Sequence, residues 1–185
     1  PGPVARFSNP ADLAIDNTGN LYVADNLNST IRKVVLGSSM RDITVSTFAG
    51  TAGVVGNTDG TGAAALFNGP YGLSVDGAGN IYVADTFNHT IRKITSTRVV
   101  TTFAGTAGVY GAADGTGSAA RFNTPTDITV NSAGTLLYVA DYANNEIRKI
   151  TSSRVVSTFA GSVNNTPGGA GYVDGTGRAA RFSEP

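Results

Sequence analysis

Apolar and polar residues alternate along short stretches of this chain, and the alternation recurs three times. Apolar residues occupy every second position in three segments that each follow a proline, at Leu13/Ile15, Leu73/Val75 and Ile128/Val130. This period of two is typical of a β-strand that buries one of its sides. Strings rich in Asn, Gly and Asp follow at 16–20, 76–80 and 131–135, which predicts a tight turn after each strand.

Three further segment types complete each unit, of the kinds LYVAD, TIRKI and VVTTFAG. They are rich in β-branched and aromatic residues and are joined by turn residues. Each unit therefore predicts four short strands, which we name a, b, c and d. No window shows a helical period of useful length, so the sequence predicts an all-β protein.

Fixed landmarks set the length of the repeat. Phe-x-x-Pro begins at residues 7, 67, 122 and 182, and Asp-Gly-Thr-Gly begins at residues 59, 114 and 174. We expect one array over 1–185 with units at about 7–66, 67–121 and 122–181, and with 182–185 starting a further unit. The extra residues near 37–42 and 163–172 leave the landmarks intact, which predicts loops there.

Tandem four-stranded units of this size are what a β-propeller arranges around its axis. We predict antiparallel four-stranded blades, about three in this chain. The recurring string P-x-G/D-[LI]-x-[VI]-[DN]-x-x-G-[NT]-[LI]-Y-V-A-D-x-x-N-x-x-[IL]-R-K-[IV] resembles the NHL repeat over essentially the whole chain. The resemblance implies a propeller of about six blades. It implies no single activity, because NHL propellers include protein-binding, RNA-binding and catalytic domains.

Three blades do not close such a ring, so we expect bare apolar faces at both ends. PVARFSNP at 3–10 also matches RAARFSEP at 178–185 in phase. We expect that two copies close a ring, that copies join head to tail in an open fibre, or that further blades belong to a longer parent protein.

Composition narrows the function classes. The formal net charge is zero and only 14% of the residues are charged, so nothing attracts a polyanion from a distance and nucleic acid is an unlikely partner. There is no cysteine for a disulfide or a thiolate metal site, and no apolar stretch of ~18 residues to span a bilayer. The Gly-, Thr-, Ser- and Asn-rich composition is typical of secreted or cell-surface proteins, so we expect an extracellular or surface location.

An aspartate ends strand b in every unit, at Asp25, Asp85 and Asp141. A ring of carboxylates could bind a metal or act in catalysis. Recurrence once per unit favours a structural role instead, with each carboxylate accepting backbone N–H bonds in the turn that follows. The glycines of Asp-Gly-Thr-Gly are interpreted as positions of positive φ in the d-to-a connection.

The other candidate groups give no assembled chemistry. His89 is the only histidine and cannot build a zinc site without carboxylates, so we expect an exposed turn residue. The calcium-loop, phosphate-loop and nucleophile-elbow spacings are absent. The pairs Arg32-Lys33, Arg92-Lys93 and Arg148-Lys149, with Arg98 and Arg154, could form a basic annulus for phosphates, or could protect sheet edges.

Three sites match Asn-x-Ser/Thr, at Asn28, Asn88 and Asn164. They are candidate glycosylation sites, although asparagine also suits turns for backbone reasons alone. Antiparallel strand order places the b-to-c loops (26–30, 86–90, 142–146) and the d-to-a loops (50–66, 105–121, 161–181) on one rim. That rim is the predicted surface for a protein or glycan ligand.

The sequence thus predicts a non-catalytic structural and interaction module without catalytic residues, metal or cofactor. It is expected to associate through its end blades with copies of itself or with further blades of a parent chain. Two alternatives remain: a propeller fragment of an enzyme whose catalytic residues lie outside this chain, and a nucleic-acid-binding NHL domain.

Overall fold

The protein is all-β and consists of three antiparallel sheets placed side by side. Its structure is a computed structural model that describes residues 5–38, 42–162 and 170–185. In chain order the strands are β1 (Pro10–Ile15), β2 (Leu21–Asp25), β3 (Thr30–Val35), β4 (Thr44–Ala49), β5 (Gly60–Thr61), β6 (Pro70–Val75), β7 (Ile81–Asp85), β8 (Thr90–Ile94), β9 (Val99–Ala104), β10 (Gly115–Thr116), β11 (Pro125–Val130), β12 (Leu136–Asp141), β13 (Glu146–Thr151) and β14 (Val155–Gly161).

Each sheet is one propeller blade, and its a, b, c and d strands pair in sequence order. Blade 1 is β1-β2-β3-β4, blade 2 contains β6-β7-β8-β9, and blade 3 contains β11-β12-β13-β14. The a strands of successive blades contact one another. The prediction of four-stranded antiparallel propeller blades, about three in number, is confirmed.

Short 3-10 turns shape the loops of the rim. Within the described residues, three turns join strands b and c, and three lie in the d-to-a connections: Asn26–Asn28, Thr86–Asn88, Tyr142–Asn144, Gly62–Ala64, Gly117–Ala119 and Gly177–Ala179. The predicted positive φ occurs at the second glycine of each Asp-Gly-Thr-Gly string, with φ of 58°, 56° and 55° at Gly62, Gly117 and Gly177.

The structure adds a fifth strand that the sequence pattern did not predict. The two residues of β5 pair with β9 of blade 2, and those of β10 pair with β14 of blade 3. Both come from the connection that leaves the preceding blade. A two-residue ladder lacks the length to show a period of two, which is why alternation missed it. The first part of the outer edge strand of blades 2 and 3 is therefore paired by the connection from the preceding blade.

A β-bulge on strand d aims one aromatic ring per blade. In blade 2, Ile91 faces Ala104 and Arg92 faces Thr102, which leaves Phe103 as the extra residue. Its ring packs edge-on against Tyr82 at 5.4 Å between centroids, and the pairs Tyr22–Phe48 and Tyr138–Phe159 repeat this contact. The glycine that follows must lack a side chain, because a Cβ on Gly105 would lie 2.7 Å from the His89 carbonyl oxygen.

Two apolar cores lie between the blades. The first joins one side of blade 1 to the facing side of blade 2, and the second joins blade 2 to blade 3 in the same way. The phenylalanine of each Phe-x-x-Pro landmark fills the boundary, since Phe67 and Phe122 are fully buried. The interior is thus divided into layers between sheets, as in a repeat protein whose units contact mainly their neighbours.

Comparison of equivalent residues in the three repeats shows that the two outermost blade faces are not covered by another blade. Leu73 of β6 and Ile128 of β11 are each 4% exposed against the preceding blade, whereas Leu13 at the same position of β1 is 63% exposed. At the opposite end, Phe159 is 52% exposed, whereas its counterpart Phe103 is 8% exposed. Blade 1 and blade 3 therefore each present an apolar face that is covered inside the array.

We expect Phe67→Ala to lower the free energy of unfolding by about 3–5 kcal/mol, because the substitution leaves a cavity in the first interblade core. Urea unfolding followed by circular dichroism measures the loss. Phe87→Ala is the control, since Phe87 is 58% exposed on the rim and should cost about 1 kcal/mol or less. Equal losses for the two variants would contradict the layered core.

Candidate functional site

The aspartate at the end of strand b is the centre of a buried polar cluster in every blade. In blade 2 the carboxylate of Asp85 accepts hydrogen bonds from the Asn68 backbone N–H, the Asn88 side-chain amide and the Arg92 guanidinium, each at 2.8 Å. Asp141 and Asp25 repeat the arrangement with donor distances between 2.7 and 3.1 Å. All three aspartates have no exposed surface.

The origin of the backbone donor differs from the expectation that it lies in the following turn. The N–H that binds Asp85 belongs to Asn68, 17 residues earlier, directly after the phenylalanine of Phe-x-x-Pro. The following turn contributes the amide of Asn88 instead. Each aspartate therefore ties the entry of its unit to the b-to-c turn. Burial raises the pKa of Asp85, while Arg92 and the two other donors oppose that shift.

A strand-c arginine extends the cluster across the blade boundary. Arg92 of β8 bonds Asp85 of its own blade at 2.8 Å and Asp59 of the preceding connection at 2.8 Å. It also donates to the carbonyl oxygens of Leu66 and Thr58, and its guanidinium lies 5.2 Å from the centroid of the Phe67 ring. Arg148 repeats these contacts with Asp141 and Asp114. We call this arrangement the arginine clasp.

The arginine clasp shows that the basic annulus considered from the sequence was wrong for Arg32, Arg92 and Arg148. Arg92 and Arg148 have no exposed side-chain surface, and Arg32 keeps only 15%. Arg98 and Arg154 are exposed, and their Nε–H groups bond the Phe48 and Phe103 carbonyl oxygens of the preceding blade. Sequence reasoning failed because a periodic charge pattern does not tell a solvated stripe from a repeated buried ion pair.

A buried glutamate joins the blade 3 cluster and was missed. Glu146 begins β13 where the other units have Thr30 and Thr90, and it is fully buried. One carboxylate oxygen accepts from the Thr158 hydroxyl at 3.3 Å and lies 3.7 Å from the Arg148 Nε, while the other has no partner within the described residues. Burial raises the pKa of Glu146; Arg148 opposes the shift and Asp141 adds to it. The signal was the replacement of threonine within the repeat.

His89 is not the exposed turn residue expected from the sequence. It is half-buried in the left-handed region with φ of 57°, and its Nδ1 accepts the backbone N–H of Thr124 at 3.0 Å. Asn145 does the same for the Glu184 N–H at 2.8 Å. In blades 2 and 3 this position links the b-to-c turn to the Phe-x-x-Pro segment that follows. Burial lowers the pKa of His89.

The three candidate glycosylation sites differ in their surroundings. Asn88 is 6% exposed, and its amide nitrogen donates both to Asp85 and to the Gly56 carbonyl oxygen. Asn28 is half-buried and donates to Asp25. Asn164 lies outside the described residues. A sugar on Asn88 would have to displace one of two buried hydrogen bonds, which argues against modification of the folded protein there.

The described ranges contain no group of three or more His, Asp or Glu side chains that could hold a metal ion. No helix within them is long and apolar enough to cross a membrane. The loop rim instead exposes apolar side chains: Leu27, Phe87 and Tyr110 are 67%, 58% and 69% exposed. The amides of the b-to-c turns bond the buried aspartates, whereas Asp59 and Asp114 of the d-to-a loops stay exposed. The rim therefore presents polar groups together with apolar and aromatic contact surface.

Comparison with known proteins agrees with this architecture. The sequence model of the NHL repeat matches residues 7–34 and 67–94, which run from the Phe-x-x-Pro landmark to the arginine clasp in the first two units. The chain is 32% identical over 167 residues to NHL repeat-containing protein 2 of Bos taurus. The chain belongs to the NHL-repeat family.

These matches cover only part of each related protein. The NHL chain is covered to 84% in the bovine comparison but spans only about a fifth (22%) of that relative's length. An auxiliary nutrient binding protein from Bacteroides thetaiotaomicron superposes with a TM-score of 0.67 at 24% identity, over 79% of this chain and 36% of that one. Virginiamycin B lyase from Staphylococcus aureus gives 0.54 at 19%, over 84% and 41%. Both likenesses show the fold.

We expect Arg92→Met to lower the free energy of unfolding of this NHL chain by about 3–5 kcal/mol, because Asp85 is left buried without its charge partner. Lys93→Met is the matched control on the same strand; Lys93 contacts the Tyr82 ring at 5.5 Å and should cost about 1 kcal/mol or less. Chemical denaturation of both variants gives the comparison. A loss for Arg92→Met no larger than that of the control would contradict the clasp.

The raised pKa of Glu146 predicts a pH dependence of known sign. The folded state holds this proton more tightly than the unfolded state, whose glutamate titrates near ~4.3, so its ionisation lowers stability as the pH rises above about 4. Glu146→Gln removes the titration but keeps the shape. We expect wild type to lose stability relative to Glu146→Gln as the pH rises above about 4. Parallel stability curves for the two proteins would refute this.

Proposed function

We propose that this chain is a non-catalytic NHL propeller segment that acts as a structural and interaction module in an extracellular or cell-surface setting. The single array over 1–185, with units at 7–66, 67–121 and 122–181, is part of the proposal. The observation that carries it is the pair of exposed apolar faces at the two ends, whose internal counterparts are buried against another blade. Such faces favour association with further blade surfaces.

The faces at the two ends are of different kinds, and this supports a head-to-tail contact. The exposed side of blade 1 matches the sides of blades 2 and 3 that face their predecessors. The exposed side of blade 3 matches the sides of blades 1 and 2 that face their successors. Inside the molecule these two kinds of face pack together twice. Another blade of the same repeat, from a second copy or from a parent chain, is therefore the expected partner.

The loop rim is the proposed surface for other ligands, of protein or glycan type. Support comes from Leu27, Phe87 and Tyr110, which stand on a backbone held by the buried aspartates. Rigid scaffolds with exposed aromatic side chains are common in recognition surfaces. A nucleic-acid role is disfavoured because the arginines of the clasp are buried in ion pairs with carboxylates.

The enzyme alternative rests on fold likeness alone. Virginiamycin B lyase shares the architecture at 19% identity, which carries no active-site residues to this chain. The non-catalytic reading is favoured because every repeated polar side chain of the arginine clasp has a structural partner. The enzyme alternative places the catalytic residues outside this chain.

Sedimentation velocity of the purified chain tests the proposal. We expect species heavier than the 18.8 kDa chain, and we expect Leu13→Asp to shift the population toward the monomer because it places a charge on the end face of blade 1. Leu27→Asp is the matched control, an equally exposed leucine on the rim, and should leave the mass unchanged. A well-folded wild-type monomer at all accessible concentrations would rule out association through the ends.

A further inference from the structure

The arginine clasp is complete in two blades and incomplete in the first. Arg92 and Arg148 each bind a carboxylate from the Asp-Gly-Thr-Gly string of the preceding connection, at 2.8 Å in both cases. Arg32 bonds Asp25 and the Arg6 carbonyl oxygen through one nitrogen only, and within the described residues no such second carboxylate reaches it.

The same absence is visible along the edge of blade 1. In blades 2 and 3 the edge strand d is covered by a Gly-Thr pair, in the register Gly60↔Val100 and Gly115↔Val156. In the part of the chain that the structure describes, strand β4 is the edge of its sheet and no fifth strand pairs with it. The residues that correspond to the covered ones are Thr44 and Val45, and Thr44 is exposed.

At the opposite end the third Asp-Gly-Thr-Gly string is formed but unused. Gly177 has φ of 55°, as in the two internal strings, and the 3-10 turn Gly177–Ala179 is present. Inside the array an arginine lies over the equivalent glycine, with the Arg98 guanidinium 2.6 Å from an added Cβ on Gly62. Over Gly177 the nearest heavy atom to an added Cβ within the described residues is the Phe159 carbonyl oxygen, at 3.8 Å. Asp174 is exposed and accepts no hydrogen bond within those residues.

We propose that a second copy of this chain supplies the missing half: Asp174 of one copy pairs with Arg32 of the next, and Gly175-Thr176 adds to strand β4. This deepens the proposed function and rests on it. The internal blades fix the register, which places Gly175 opposite Val45 and Thr176 opposite Thr44.

Charge and packing both favour this occupant. The Asp174 carboxylate would also meet the backbone N–H of Thr47, as Asp59 does for Thr102 at 3.1 Å and Asp114 for Thr158 at 2.9 Å. The contact is continuous with the apolar faces that hold Leu13 and Phe159. A partly buried arginine that gains a carboxylate at a desolvated boundary gives strong selectivity for register.

Disulfide crosslinking tests the register, and the absence of native cysteine makes the readout clean. Thr44→Cys and Thr176→Cys are prepared as separate proteins, mixed and oxidised. Opposed residues of an antiparallel pair lie within the Cα distance that a disulfide requires. We expect a covalent heterodimer, with a 44–176 linkage identified by peptide mass spectrometry.

The matched control is Ser46→Cys mixed with Thr176→Cys, because residue 46 lies two positions along the same exposed edge. We expect at least about tenfold less crosslink from that mixture, and we expect Asp174→Asn to weaken association of the otherwise unmodified chain about tenfold or more. Equal crosslinking at 44 and 46, or an unchanged association constant for Asp174→Asn, would overturn the register.

The outcomes separate this inference from the proposed function. If wild type sediments as an assembly but the 44–176 linkage does not form, the register is wrong while association through the ends stands. If wild type is a well-folded monomer at all accessible concentrations, association of copies through the ends is wrong and this inference is wrong with it. A closed pair and a longer head-to-tail array that form the linkage would each support the inference, because every junction uses the same contact.

Discussion

The burial of an arginine between two carboxylates at each blade boundary is the constraint on which the rest of the structure depends. Arg92 has no exposed side-chain surface, so its charge must be met by Asp85 from its own blade and Asp59 from the preceding connection. Hydrogen-bond geometry at two fixed points sets how neighbouring blades lie. The apolar residues around Phe67 then fill the remaining space. Apolar packing accounts for much of the surface buried between blades, and the ion pairs fix how neighbouring blades are aligned.

Hydrogen bonds between units explain why the repeated sequence forms a stack of sheets rather than isolated hairpins. The strand-b aspartate binds the entry of its unit through a backbone N–H such as that of Asn68. The residue just before strand c, His89 in blade 2 and Asn145 in blade 3, binds the entry of the next unit. The b-to-c loops of these two blades therefore each hold two units at once. Unit and neighbour cannot be treated as independent folding elements.

The fold could be predicted because strand alternation and turn residues depend on neighbours in the sequence, and because the same pattern occurs in three repeats. The environment of individual polar residues could not be predicted, because it depends on which side chains from distant segments pack against them. Arg92 and Lys93 are adjacent in sequence, yet one is buried between carboxylates and the other lies along a tyrosine ring. His89 and Glu146 were misjudged or missed for the same reason. Strand order alone predicted which loops share a rim. It did not predict that side-chain amides of these loops are buried against the aspartates.

The short strands β5 and β10 give the array a direction. Each later blade receives its outermost strand from the connection that leaves the blade before it. During synthesis on the ribosome, the segment that shields a new sheet is made before that sheet, so each newly emerging blade meets a template already in place. The outer edges of blades 2 and 3 are thus partly paired by a segment that is synthesised before them, which reduces the free β-edge to which another nascent chain could add.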